Sequence, residues 1–449
     1  MKTLPFAIGF AALAIPLAAQ ASAITAERVR ETVTWLAADE RAGRDTGSPE
    51  LVAAGEWIAA RFAAAGLQPL TEGRWTQEFA LPGLSIDSKA IEVRLHRKHG
   101  DQTQEIVLQP DVDVRQWTVA DATTGGDEAC TVALADDAAL QRMLATGSAR
   151  RPVFCEVAPE DERWVLAKGS RFVLGGRRQA TRPVFLVRAG LLPPAADDDS
   201  QVTWTTTWSV PEPEKADMAQ HNVVGLLRGG AKKDEYVVVS AHYDHVGRGR
   251  PVAGDGIYNG ADDNATGTTA VLLLAESLGK LQPPPARSIL FVCFTAEERG
   301  LLGSKAFCAR PPVPIDKIVA NLNIEMIGRP LPGNESKAWI TGDDLSDFAA
   351  IAGPALERAG IGLVEFPMAA RLFTASDNWA FAQHGVVAHS VSAGSLHQDY
   401  HQPGDEADKL DIAHMTAIVR GLHEVTLELA NRDAVPQWND KGRARIARR

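Results

Sequence analysis

The chain is 449 residues long, with 45% hydrophobic and 23% charged residues, a composition that excludes a disordered or collagen-like polypeptide. Its 46 basic against 57 acidic side chains leave a net charge of −11, which offers no electrostatic footprint for nucleic acid. Four cysteines are too few for a disulfide scaffold. The length exceeds what one hydrophobic core usually fills, so two domains, or one domain with a large insert, are expected.

Residues 1–23 have the layout of a secretory signal peptide: Lys2, an apolar run over 4–19, and the small-residue site Ala21-Ser22-Ala23. The run is shorter than the roughly 20 residues of a spanning helix, and no other stretch is apolar enough to cross a membrane. Export to the periplasm or the medium is therefore expected, where cysteines can pair. Cys130 with Cys155 is the first pairing expected and Cys293 with Cys308 the second, but for either pair two plain buried thiols read equally well.

Residues 24–83 form the N-terminal part of a domain that resumes at 219. Ala26, Val29, Val33 and Leu36 follow a helical spacing, and a second helix is expected over 49–65, with Leu51, Ala54, Ile58 and Phe62 on one face and Gly66 past its end. A polar loop, 40–48, joins the two. The texture changes over 84–218 to short alternating runs, 91–95 and 202–208 among them, separated by Gly, Asp and Pro clusters. This predicts a mostly β insert with a return linker at 211–215. Over 219–432 strands and helices alternate: strands at 236–240, 288–294, 318–324 and 386–391, and helices at 267–281, 305–309, 345–359, 376–383 and 411–431. That order predicts an α/β fold with a mixed, largely parallel sheet sandwiched by helices. Residues 433–449, with Lys441, Arg443, Arg445, Arg448 and Arg449, read as a solvated basic tail.

In such a sheet, ligands bind beyond the carboxyl ends of the strands, and that is where the polar residues collect. After the first strand come His242 and Asp244, two residues apart and so on one face of an extended chain. Asp262, Asp263 and Asn264 precede an apolar helix. A helix cap needs one such residue, and here there are three. Glu297 and Glu298 follow the second strand. Adjacent carboxylates there either start a solvated helix or face different partners, one a cation and one a bound water. Glu325 ends an apolar run and needs a partner, and His401 lies in a late loop. Histidine with carboxylate donors suits zinc, and at times cobalt or manganese. Two divalent ions bring +4 against −3 from Asp263, Glu298 and Glu325, and the surplus favours a bound hydroxide.

Together, in this order, His242-x-Asp244, Gly260-Ala261-Asp262-Asp263-Asn264, Glu297-Glu298, Glu325-Met326 and Tyr400-His401 resemble the M28 family of zinc metallopeptidases. That family includes bacterial leucyl aminopeptidases and glutamate carboxypeptidase II. The resemblance covers about 25–80 and 219–430, and it places the insert where many relatives carry a protease-associated domain. It implies a zinc-exopeptidase-like fold and two zinc ions: His242 and Glu325 on one, Glu298 and His401 on the other, and Asp263 bridging. It further implies that Asp244 orients His242 and that Glu297 is the general base. Glu325 stands where many relatives have Asp. Peptides are the implied substrates and aminopeptidase action the leading expectation. The rivals are a carboxypeptidase or dipeptidase, a mononuclear glutaminyl cyclase-like enzyme, and a receptor-like binding module.

Other residues read as structural. His245 is taken as a loop histidine, and His384, His389 and His397 lie outside ligand positions. Asp377, after Ser376, is a helix cap or a support to the site. Arg329 could bind a substrate carboxylate but is placed at the surface, and Trp204 and Trp208 belong to a β face.

Overall fold

The computed structural model describes residues 23–70, 73–118, 123–129, 131–133, 152–174, 182–192 and 202–447. The expected export signal up to residue 22 lies outside the described residues, as does Cys130, on which the first expected pairing depends. Two compact units appear, one from the described residues of 1–79 and 220–449, the other from those of 80–219.

The first unit opens with α1 (Ala26–Leu36), capped by Thr25, whose hydroxyl accepts the Arg28 N–H at 3.3 Å. Next comes α2 (Pro49–Ala64), capped by Ser48 accepting the Leu51 N–H at 3.0 Å. Pro49 sits in its first turn, where a missing N–H breaks no helical bond. The sheet is built from β1 (Glu214–Leu227), β2 (Lys232–His242), β3 (Arg287–Phe294), β4 (Ile318–Glu325), β5 (Lys337–Ile340) and β6 (Ala388–Ser392). Their order is β5-β6-β4-β2-β3-β1, in which β6, β4, β2 and β3 run parallel and the flanking β5 and β1 are antiparallel.

Every residue of β3 is buried, which explains its unbroken apolar run where a half-exposed strand would alternate. On one face Phe291 meets Phe62 of α2. On the other Phe294 meets Phe307 of α4 (Leu302–Ala309) and Phe381 of the short helix Asn378–Ala382. Beside α2 on the sheet lies α3 (Gly267–Leu278), with all but one of its residues buried. After α4 come α5 (Phe348–Arg358) and α6 (Ile412–Asn431), which pack together. Because the four central strands are parallel, their carboxyl ends share one edge. His242 stands opposite Phe294, and Glu325 opposite Ser392.

Three features depart from expectation, the first being that strand β1 begins at Glu214, inside the return linker expected at 211–215. Strand β5 and the hairpin Gly247–Val252/Asp255–Tyr258 have no counterpart among the expected elements; both are short and Gly- or Pro-flanked, so their alternation is too brief to read. The C-terminal segment is not a free tail. Trp438 is buried and its Nε1 donates to the Gly385 carbonyl at 3.0 Å, and the helix Asp440–Ile446 starts on Asn439, which accepts the Gly442 N–H at 3.0 Å. Of the two readings left open for Cys293 and Cys308, the structure supports buried thiols with no bridge.

The second unit is mainly β. One sheet orders Gln102–Leu108, Glu92–His99, Val202–Ser209 and Thr124–Ala129, all antiparallel. Another orders Val114–Gln116, Val184–Arg188, Val153–Val157 and Thr131–Ala133. Phe154 stacks on Phe185 at 5.3 Å, and Trp208 is buried against Phe185, as a β-face tryptophan should be. Among the described residues no helix of the chain is long and apolar enough to cross a membrane.

His389 of β6 belongs to the core, not to the strand-end site. Its Nδ1 lies 2.7 Å from the Thr341 carbonyl and its Nε2 2.7 Å from Ser346 Oγ, among Phe348, Phe373 and Trp438. Burial pushes its pKa down to about 4, against smaller opposing effects of the Thr341 carbonyl and Asp344. The unfolded chain therefore binds this proton first, and folding loses stability as pH falls from about 6.5 to 4, by about 3 kcal/mol in full. The denaturant midpoint should fall over that window, and His389→Asn should flatten this part of the profile.

Candidate metal centre

Five residues expected as ligands, His242, Asp263, Glu298, Glu325 and His401, come together at the carboxyl edge of the sheet. They form two donor groups that share Asp263. In the first, His242 Nε2 stands 3.4 Å from Asp263 Oδ1 and 3.4 Å from Glu325 Oε2. In the second, His401 Nε2 stands 3.0 Å from Asp263 Oδ2 and 3.2 Å from Glu298 Oε1. Each oxygen of Asp263 thus faces a different group.

The second group also holds His245, which is not the plain loop histidine expected from the sequence. It is fully buried, with Nδ1 2.9 Å from Glu298 Oε1 and 3.8 Å from Asp263 Oδ2. Gly260, at φ 57°, makes room for it, since a Cβ there would lie 2.4 Å from the imidazole ring. The position of His245 one residue after Asp244 is the available signal, but spacing along the chain does not show which way a loop side chain turns.

The donors suit a divalent cation. With bonds of about 2.0–2.1 Å, the corners of a tetrahedral zinc site lie about 3.3 Å apart, and the distances above cluster around that value. Asp263 Oδ2 and His401 Nε2 are buried and make no hydrogen bond, although they face each other. Buried polar atoms without partners are costly, and a shared cation satisfies both.

Neighbouring side chains hold three of the ligands, Glu325, His242 and Asp263. Asn264 Nδ2 donates to Glu325 Oε2 at 2.6 Å and to the Ile324 carbonyl at 2.9 Å. Ser376 Oγ donates to Glu325 Oε1, and Asn323 Nδ2 reaches that same oxygen at 3.0 Å. Ser376 therefore supports the site, while Asp377 beside it is fully buried with its pKa raised to about 7, chiefly by burial. Thr268 Oγ1 donates to the His242 carbonyl at 2.7 Å. Asp405 accepts the Asp262 N–H at 3.1 Å and the Asp263 N–H at 3.0 Å, so it fixes the Asp pair. The pair divides its work, because Asp262 Oδ1 accepts the Gly328 N–H at 2.7 Å and faces away from the two groups.

Asp244 acts differently from expectation. His242 Nδ1 lies 3.1 Å from the Asp244 carbonyl oxygen, whereas the Asp244 carboxylate is 3.8 Å away. That carboxylate accepts the Glu297 N–H at 3.2 Å and the Thr46 hydroxyl at 3.1 Å. His384 is exposed, with Nδ1 2.9 Å from the Ala380 carbonyl. His397 packs behind the site, Nε2 3.4 Å from Asp262 Oδ2. Arg329 is paired with Asp399 at 2.8 Å.

Charge governs protonation here. Burial alone would lower the proton affinity of His242, but the charges of Glu325 and Glu297 and its contacts with Asp263 raise it well above the ordinary imidazole value. His401 is held at about 10 by Asp263 and Glu298, against burial. Asp263 is correspondingly well below the usual carboxylate range, because the close approach of His242, His401 and His245 outweighs its burial, and Glu298 sits at about 2. Glu297 goes the other way: burial, then Asp377, Glu298 and Glu325, raise it well above its ordinary value against the pull of His242.

Arg44 stands beneath these loops, fully buried. Its Nε donates to the Tyr243 carbonyl at 2.9 Å, Nη1 to the carbonyls of Leu36 and Asn259, and Nη2 to that of Gly260 at 3.0 Å. Burial lowers its pKa to about 10, where it remains charged, beside Asp244, Asp263, Asp405 and Glu298.

Residues 222–426 match the model of Peptidase family M28. Among curated proteins, the chain is 34% identical over 114 residues to leucine aminopeptidase 1 of Trichophyton rubrum, covering 24% of this chain and 30% of that protein. It is 36% identical over 135 residues to an aminopeptidase of Pseudomonas aeruginosa strain UCBPP-PA14, covering 30% of this chain and 22% of that one. The matches thus span less than a third of these relatives. Among solved structures, the fold is similar to a zinc aminopeptidase from Bacillus subtilis, with TM-score 0.55, 16% identity, and 91% and 96% of the two chains covered. It is likewise similar to an aminopeptidase from Aneurinibacillus sp. strain AM-1, with TM-score 0.54, 18% identity, and 92% and 96% covered.

Arg44→Lys should destabilise the protein by about 3 kcal/mol or more, since one ammonium cannot reach four carbonyls set around a planar fork. A lower thermal midpoint together with fewer retained metal equivalents is the expected result.

Proposed function

We propose, from the match of residues 222–426 to the model of Peptidase family M28, that this chain is a two-zinc aminopeptidase that releases residues from the free amino end of peptides. The observation that carries the reading is a pocket beside the first donor group. His242, Asp263, Glu297 and Glu325 line it together with Met326, Trp339, Leu372, Leu396 and Tyr400. Among the described residues no Lys or Arg lines it.

Cations held by these donors supply a polarised carbonyl and an acidified water. Glu297, facing the pocket with raised proton affinity, takes a proton from the attacking water and returns it to the leaving amine. The Asp244 carboxylate, bound to the Glu297 N–H, fixes that base against the end of β2. The apolar wall receives an uncharged side chain. Trp339 is held there by its Nε1 donating to the Gly394 carbonyl at 3.0 Å and by stacking on Phe366 at 4.5 Å. A free α-ammonium is welcome among the pocket carboxylates. A terminal carboxylate would need a cation, and Arg329, the candidate for that task, is engaged by Asp399. This disfavours a carboxypeptidase.

Export to the periplasm or medium belongs to the same reading, supported by Lys2, the apolar run over 4–19 and Ala21-Ser22-Ala23.

Glu297→Gln should keep its metal and lose about 10²–10⁴ in kcat. Near wild-type turnover by that variant would remove Glu297 from the base role. Leucyl amides should be cleaved with a free amine and resist cleavage once N-acetylated. The reverse preference would turn the assignment of polarity around.

A further inference from the structure

We propose that the two cation positions are unequal, because His245 gives the Glu298/His401 position a fourth protein donor that the His242/Glu325 position lacks. The inference rests on the two-metal reading above and concerns how the ions are held. Around the second position stand four donor residues, His245, Asp263, Glu298 and His401, and around the first stand three, His242, Asp263 and Glu325. A zinc site with four protein ligands is closed, and one with three keeps a corner for water or substrate.

Three further observations agree. The pocket is lined by all three donors of the first group, whereas His245, Glu298 and His401 are absent from its lining. The open corner and the pocket therefore lie together. The distances of His245 Nδ1 to Glu298 and Asp263, 2.9 and 3.8 Å, bracket the roughly 3.3 Å edge of a tetrahedral zinc site. The residue is also held on its far side. The His245 backbone N–H donates to the Arg44 carbonyl at 3.1 Å, Gly260 leaves space for the imidazole, and His401 meets it edge-on with centroids 5.4 Å apart. A loop histidine with only a solvation role has no need of such a seat.

The closed position is the tight one and keeps its ion when the open position has lost its own. The full chain, stripped by chelator dialysis and titrated with Co²⁺, tests this. Wild type should bind the first equivalent about tenfold or more tightly than the second, with the absorption of a tetrahedral cobalt site. Paramagnetically shifted imidazole resonances should show two histidines on that first ion. His245→Ala should weaken the tight step by about tenfold or more and leave the weaker step in place. His245→Asn, whose amide can donate to Glu298 but is a poor zinc ligand, should not restore it. An unchanged isotherm in His245→Ala, full rescue by Asn, or a single imidazole on the first cobalt in wild type each overturns the inference and leaves the two-metal reading standing. Wild-type protein that takes up no Co²⁺ defeats that reading itself. The imidazole count is made on wild type, so a variant that fails to fold does not leave the question open.

Discussion

The structure turns on an excess of buried negative charge. Asp244, Asp263, Asp377 and Asp405 are buried at one edge of the sheet, with Glu297, Glu298 and Glu325 largely buried beside them. Arg44 brings a fixed positive charge to this cluster. The remaining compensation comes from imidazoles, and His242 and His401 hold protons well beyond the ordinary imidazole range to supply it. Protons are a makeshift for this purpose. They leave Asp263 Oδ2 and His401 Nε2 facing each other without a hydrogen bond, whereas a divalent ion brings more charge and uses both lone pairs. The arrangement is thus built for cations, and its side-chain positions make physical sense only with them.

A parallel sheet makes that concentration of charge possible. Parallel register carries the ends of β2, β3, β4 and β6 to one edge, so residues up to 159 positions apart need no long loops to meet. The turns leaving these strands are sharp. Ala296, Met326 and His401 all have positive φ, at 55°, 45° and 53°, each in a conformation that costs an ordinary residue about 1–2 kcal/mol. The strain is held in place by hydrogen bonds: Asn264 accepts the Met326 N–H at 3.2 Å, Asp405 fixes the Asp pair, and Asn323 and Ser376 fix Glu325. Rigid backbone supplies the geometry, leaving the carboxylates free for their ions.

Strand and helix periodicity is readable over most of the first unit, because its elements are long and apolar: the run 289–294 can only be a fully covered strand. The five ligand positions are readable for a related reason, since a charged residue directly after an apolar run is drawn into the covered edge of the sheet and must find a partner there. What stays hidden acts through main-chain atoms or through side-chain direction. Arg44 lies in a polar loop that looks solvated, yet all its side-chain bonds run to main-chain carbonyls, three of them from distant segments, which carry no mark in a sequence. Asp244 steadies His242 through its carbonyl, a role any residue type could fill, and uses its carboxylate on Glu297. His245 is one histidine more than a five-ligand pattern requires, so the pattern gives it no place. Trp438 sits in a segment whose charges resemble those of a free tail, although one buried indole docks it.

An exopeptidase must tell one chain end from the other, and the sign of the charge beside the pocket decides which end is welcome. Three of the nearby positive groups are already committed: Arg44 to carbonyls deep under the loops, Arg329 to Asp399, and Lys409 to the same carboxylate at 3.1 Å. Glu297 and Glu325, by contrast, face the pocket. A substrate carboxylate placed there meets like charge in a partly desolvated site, where repulsion between neighbours is strong. An ammonium meets the opposite. In the aminopeptidase proposed above, the carboxylates that call for cations would also favour an ammonium over a carboxylate at the pocket, so metal binding and the choice of terminus would follow from one arrangement of charge.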